Sequence, residues 1–152
     1  MEPSKARVEI TVALREFYDA ETALKAKETG KGYDRMDRAW EGLRKAMRDH
    51  SCVEVRATFR QMFPEYLGNR VTEGMHSYID SAAETELAKQ MSDYDLVLQY
   101  KEATKRMKDT AGEAHWRASR RKIAANDEML IRYQREEQGL DRYTGLPWGI
   151  DP

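Results

Sequence analysis

Glu73 and His76 stand three residues apart, the ExxH spacing that turns both side chains to one face of a helix. Ferritin-like dimetal centres build part of their ligand set this way, but they take two such pairs and two further carboxylates. The chain has no second ExxH, and Glu113 with His115 has the wrong spacing. The pair therefore reads as an ordinary surface or boundary pair. A small helical metalloenzyme, completed by a second copy, stays as a second alternative.

Nucleophilic chemistry would need Cys52 near one of His50, His76 or His115, and acid–base chemistry would draw on Glu54, Glu73 or Glu84. Catalysis needs a nucleophile, an orienting group and oxyanion donors to converge, and isolated residues in a carboxylate-rich chain do not indicate that. No HExxH, GxxxxGK[ST] or GxGxxG pattern occurs, so there is no zinc motif and no standard phosphate cradle. Gly30-Lys31-Gly32-Tyr33 reads as a connection between helices. The expectation is a chain with no catalytic, cofactor-binding or metal residues, and no cofactor. Cys52 cannot form an internal disulfide and reads as a small buried residue.

Lys101, Lys105, Arg106, Lys108, Arg117, Arg120, Arg121 and Lys122 form the strongest positive feature. On a helix, positions 101, 105 and 108 share one face, and 117, 120 and 121 make a second close group. Both could meet phosphates, with Trp116 stacking on a base, or could be a solvated face or meet an acidic protein. A helical nucleic-acid-binding protein using the surface 101–122 is thus the first alternative reading. The charge is segregated: residues 51–100 carry 4 basic and 8 acidic side chains, and residues 101–122 carry 8 basic and 3 acidic. That segregation favours head-to-tail self-association or a polyanionic partner, while the formal net charge of only −1 weakens the nucleic-acid reading.

These residues must be carried by helices. With 35% of the 152 residues charged and the hydrophobic 40% scattered, amphipathic helices are the economical solution. Residues 5–27 place Ile10, Ala13, Phe17, Ala20 and Leu24 on one face; residues 34–49 do the same with Met36, Trp40, Leu43 and Met47. Gly30 and Gly32 interrupt them, and Asp34 is a plausible cap. Ser51 and Glu54 have capping-box spacing ahead of Val55, Phe59 and Met62, and Pro64 opposes continuation. Residues 71–91 follow with Val71, Met75, Tyr78, Ile79, Ala82 and Leu87 in a half-buried pattern.

Ser92 and Asp95 can cap a fifth segment with Leu96, Tyr100, Ala103 and Met107, its apolar face broadened by Val97. The pattern weakens at Thr110–Gly112, then resumes through Ala114, Ala118, Ala125, Met129 and Tyr133. A single helix over 92–138 would be about 70 Å long, at about 1.5 Å per residue. A compact chain of this length has a radius of gyration of about 15 Å. Either the helix breaks near Gly112 into a hairpin or it projects onto something else. Gly139-Leu140 has the form of a C-terminal cap.

The tail beyond it concentrates Tyr143, Leu146, Trp148 and Ile150 among turn residues, which is not the composition of an inert linker. It is expected to dock on its own body or on another subunit, with those four residues as the protein interface. Trp40 fits a helical stripe and reads as core, whereas no stripe explains Trp148.

The sequence thus predicts an all-α fold, an irregular multi-helix bundle with a long C-terminal helix or helical hairpin and an extended aromatic tail. A single helical domain is expected over 1–138 and a docking tail over 139–152. The expected function is a non-enzymatic structural or adaptor subunit of a larger assembly, self-associating or bound to another protein, with a virion component as one setting. No signal-peptide stretch opens the chain and no run of about 18 apolar residues occurs, so the expected location is cytoplasmic or within a virion, without membrane insertion.

Overall fold

A computed structural model describes residues 4–64 and 70–149, with the backbone alone for 70–73. Six helices account for most of these: α1 (Lys5–Ala26), α2 (Gly30–Asp49), α3 (Cys52–Met62), α4 (Arg70–Lys89), α5 (Asp93–Asp109) and α6 (Gly112–Glu137). The only pairing of β type among the described residues is one isolated bridge, Leu140 to Pro147. The fold is all-α. Its contacts divide into two compact units, 1–79 and 80–152, with the division falling inside α4.

In the first unit, Ser4 Oγ accepts from the Arg7 N–H and starts α1. Ile10, Leu14, Phe17 and Ala20 are its buried side chains. Leu14 takes the place expected of Ala13, because the spacing 10, 14, 17 centres the stripe between them and leaves Ala13 half-buried. The second helix starts earlier than the glycines suggest. Thr29 Oγ1 accepts from the Gly32 N–H at 2.9 Å, which caps α2 and makes Gly30 and Gly32 its first turn. Gly32 has a packing reason as well, since a Cβ there would lie 3.0 Å from Thr29 Oγ1 and 3.2 Å from Leu24 Cδ1. Ser51 Oγ accepts from the Val53 N–H to open α3, which ends before Pro64 as its sequence requires.

The core of this unit gathers Ile10, Leu14, Phe17, Leu43, Val55, Phe59, Met75 and Ile79. Trp40 meets Phe17 and Tyr78 edge-on, with ring centroids 4.9 and 4.6 Å apart, and so packs as the sequence suggested.

In the second unit the long helical pattern is broken into a hairpin. Thr110 and Ala111 are extended and Gly112 has φ +64°, a left-handed conformation that glycine enters without a Cβ penalty. The reversal is held across α5 and α6 by Gln99 Nε2, which donates to the Arg121 carbonyl at 2.9 Å, and by His115 Nδ1, 3.0 Å from the Met107 carbonyl. Ala88, Leu96, Ala124 and Ala125 form a small buried core with Met91, Tyr100 and Met129 against it. Alanines at the contact leave room for one narrow stripe only. Val97 and Tyr133, expected in the apolar face, are therefore exposed.

The end of α6 is a full Schellman motif. The Leu140 N–H donates to the Arg135 carbonyl at 2.8 Å, the Gly139 N–H donates to the Glu136 carbonyl at 3.0 Å, and Gly139 has φ +73°.

Candidate protein-interaction site

The tail leaves that cap as a tight reversal. The Asp141 N–H donates to the Leu146 carbonyl at 2.7 Å and the Gly145 N–H to the Asp141 carbonyl at 2.9 Å. Asp141 Oδ1 accepts from the N–H groups of Thr144 and Tyr143 at 3.0 and 2.9 Å, and these bonds hold its carboxyl below the ordinary aspartate pKa. Arg135 ties the reversal to α6 by donating from Nη1 to the carbonyls of Arg142 and Tyr143, at 3.2 and 3.0 Å. Gly145 is required beneath it: its φ is +73°, and a Cβ would lie 3.0 Å from Arg135 Nε. Arg142 adds ion pairs to Asp93 at 3.0 Å and Glu136 at 3.3 Å.

The tail thus docks on its own chain through its backbone, held by Arg135, and through Arg142. Its aromatic side chains stay outside: Trp148 is 63% exposed and Tyr143 is 57% exposed, although Arg132 and Arg142 lie over the Tyr143 ring at 5.0 and 5.6 Å. Leu146 is half-buried. Ile150 lies outside the described residues.

A second apolar feature, not anticipated from sequence, lies on α6. Trp116, Ile123 and Leu130, spaced by seven, are all about half exposed, and they face away from Ala118, Ala125 and Arg132, which are buried. The heptad spacing was available in the sequence, but a stripe through Ala114, Ala118, Ala125, Met129 and Tyr133 competes with it.

The basic positions fall into two states. On α6, Arg117 pairs with Glu113, Arg120 with Asp80 at 3.7 Å and Arg121 with Glu84 at 4.0 Å, while Lys122 Nζ lies 5.1 Å over the Tyr100 ring. On α5, Lys101, Lys105 and Lys108 are exposed, and among the described residues none of the three forms an ion pair. The two groups are therefore chemically unlike, one largely engaged within the unit and the other open.

The residues screened for chemistry are separately occupied. His50 Nε2 lies 2.9 Å from Glu9 Oε2, His76 is buried with its ring against Phe59 at 4.4 Å, and His115 serves the hairpin. Cys52, half-buried, points Sγ at the Met47 carbonyl 3.9 Å away. The Glu73 side chain lies outside the described residues. Among the described residues there is no group of three or more His, Cys, Asp or Glu placed to hold a metal, and no helix long and apolar enough to cross a membrane.

Fold and surface together define an all-α helical protein that presents aromatic and aliphatic side chains from its second unit. Comparison with protein-family models, with curated proteins and with solved structures finds no match for the chain.

Proposed function

We propose that the chain is a non-enzymatic structural or adaptor subunit that works by contact with other protein subunits, its own copies among them. The observation that carries this reading is the tail: its backbone is fixed by the Asp141 turn and the Arg135 clip, yet Trp148 points outward. Fixing a short segment in advance lowers the entropy lost on association, and a tryptophan offers a large contact area from it. The row Trp116, Ile123 and Leu130 supports the same reading with a second apolar surface. A virion or a cellular machine would each use such a subunit, within the cell or particle.

The nucleic-acid alternative draws less support, because Arg117, Arg120 and Arg121 already face carboxylates of the chain itself. The reading is tested by sedimentation of the full chain and of a chain lacking residues 141–152, with circular dichroism as folding control. The full chain is expected to form a species larger than a monomer, alone or with a partner subunit, and the shortened chain to keep its helix and lose that association. Association unchanged by the deletion would overturn the role given to the tail.

A further inference from the structure

We infer that the outward face of α5 is a docking strip for an acidic amphipathic helix of a partner protein, an inference that deepens the contact-based function above. Tyr94, Leu98, Lys101, Lys105 and Lys108 follow one another at steps of four, three, four and three, which keeps them on one helical face. Leu96, Gln99 and Ala103 are buried on the other side, so the row points away from the unit's own core.

The strip has two chemistries in sequence. At its start Tyr94 is 75% exposed, and Leu98 and the adjacent Val97 are 41% and 42% exposed. At its end come three lysines with no carboxylate paired to them among the described residues. From residue 94 to 108 the row is about 21 Å long, at about 1.5 Å per residue, the length of roughly four helical turns. An amphipathic partner helix with an apolar end and glutamates at matching steps would cover both parts at once.

Charge selects this occupant over a nucleic acid. Asp95, Glu102 and Asp109 are exposed on the same helix, beside the lysine row. A continuous phosphate backbone would meet their repulsion, whereas a helix that presents its carboxylates in one narrow row would not. The apolar end also gains nothing from a phosphate backbone and gains from burial under leucine side chains.

The test uses the full chain and a labelled synthetic helix of about four turns, with leucines at one end and glutamates at steps matching the three lysines. Its fluorescence anisotropy is compared with that of a scrambled peptide of equal composition, poly-glutamate and duplex DNA at physiological salt. The matched peptide is expected to bind best. Reversing the lysines with Lys101→Glu, Lys105→Glu and Lys108→Glu should weaken it about tenfold or more, and a peptide with lysines for glutamates should restore binding to that variant. Leu98→Ser should weaken the matched peptide and leave poly-glutamate unaffected. Equal binding of the scrambled peptide, tighter binding of duplex DNA, or no binding of the matched peptide would each overturn the inference. Tail-dependent sedimentation does not involve this strip, so its persistence alongside failed peptide binding would remove the strip alone.

Discussion

Arg132 and Glu128 face each other one turn apart on α6, both out of solvent, with Arg132 Nε donating to Glu128 Oε1 at 3.0 Å. The other guanidinium nitrogens reach elsewhere. Nη1 donates to Asp93 Oδ1 at 3.0 Å, at the start of α5, and Nη2 donates to the Met91 carbonyl at 2.7 Å and, more weakly, to those of Ala88 and Lys89 at 3.4 Å. One side chain therefore meets carbonyls at and just beyond the end of α4 and complements the negative end of its dipole.

Removing this arginine strands Glu128 in the interior. Arg132→Met is expected to lower stability by about 3–5 kcal/mol, the cost of breaking a buried pair on one side. Adding Glu128→Leu should recover part of that loss, because the uncompensated carboxylate goes too. Urea denaturation of the parent, the single and the double variant decides it. A single variant within about 1 kcal/mol of the parent would show that the knot is dispensable.

The α6 arginines offer a graded comparison. Arg120 and Asp80 have side chains only 11% and 4% exposed, whereas Arg117 and Glu113 are 46% and 26% exposed. Arg120→Met should cost about 1–3 kcal/mol, since it removes charge compensation from a buried carboxylate. Arg117→Ala should cost a few tenths of a kcal/mol, as expected of a solvated i,i+4 pair. Equal thermal shifts for the two would contradict this ordering.

Asp141 gives a pH signature to the tail. The amides of Thr144 and Tyr143 bind its charged form, so its folded pKa lies below the ordinary value. The turn is thus stabilised at pH above the ordinary aspartate range, and that stabilisation is lost as pH falls through the lowered folded value. The amide resonances of Tyr143 and Thr144 should titrate together with a midpoint below the usual aspartate one. Asp141→Asn keeps an acceptor oxygen and should flatten the titration. A midpoint at or above the ordinary value would refute the assignment.

These arrangements were unequally visible in the sequence. Ser51, Ser92 and the pair Gly139-Leu140 announce their caps because capping depends on residues within one turn. The break at Thr110–Gly112 was legible only as one of two choices, since β-branching and glycine lower helix propensity without ending a helix. The Thr29 cap is masked in the sequence by Gly30 and Gly32, whose low helix propensity opposes the local capping signal. The Arg132 knot and the pairing of Arg120 with Asp80 were out of reach, because they join residues far apart in sequence. The tail's aromatic composition was plain, but its outward Trp148 and the Arg135 clip are tertiary features that no periodicity encodes.

That clip separates what the tail contributes by shape from what it contributes by contact. Arg135 donates to the carbonyls of Arg142 and Tyr143, whereas Trp148 presents its side chain to solvent. Arg135→Ala should leave the apolar contact available but free the reversal, so ordering it would again cost entropy at the moment of binding, about 1–2 kcal/mol for each backbone residue newly fixed. The Asp141 turn and the Schellman cap remain in that variant, so about one residue is set loose and association should weaken by roughly tenfold. Trp148→Ala removes the contact itself and should cost more, about 2 kcal/mol or above if Trp148 is the central anchor. Because the clip pre-orders the same tail that carries Trp148, the double variant should lose less than the sum of the two single losses. Sedimentation across a concentration series measures all three, with circular dichroism confirming that helix is retained. An Arg135→Ala loss equal to or greater than that of Trp148→Ala would mean that the arginine itself meets the partner, and its role as a clip that only positions the tail would be overturned.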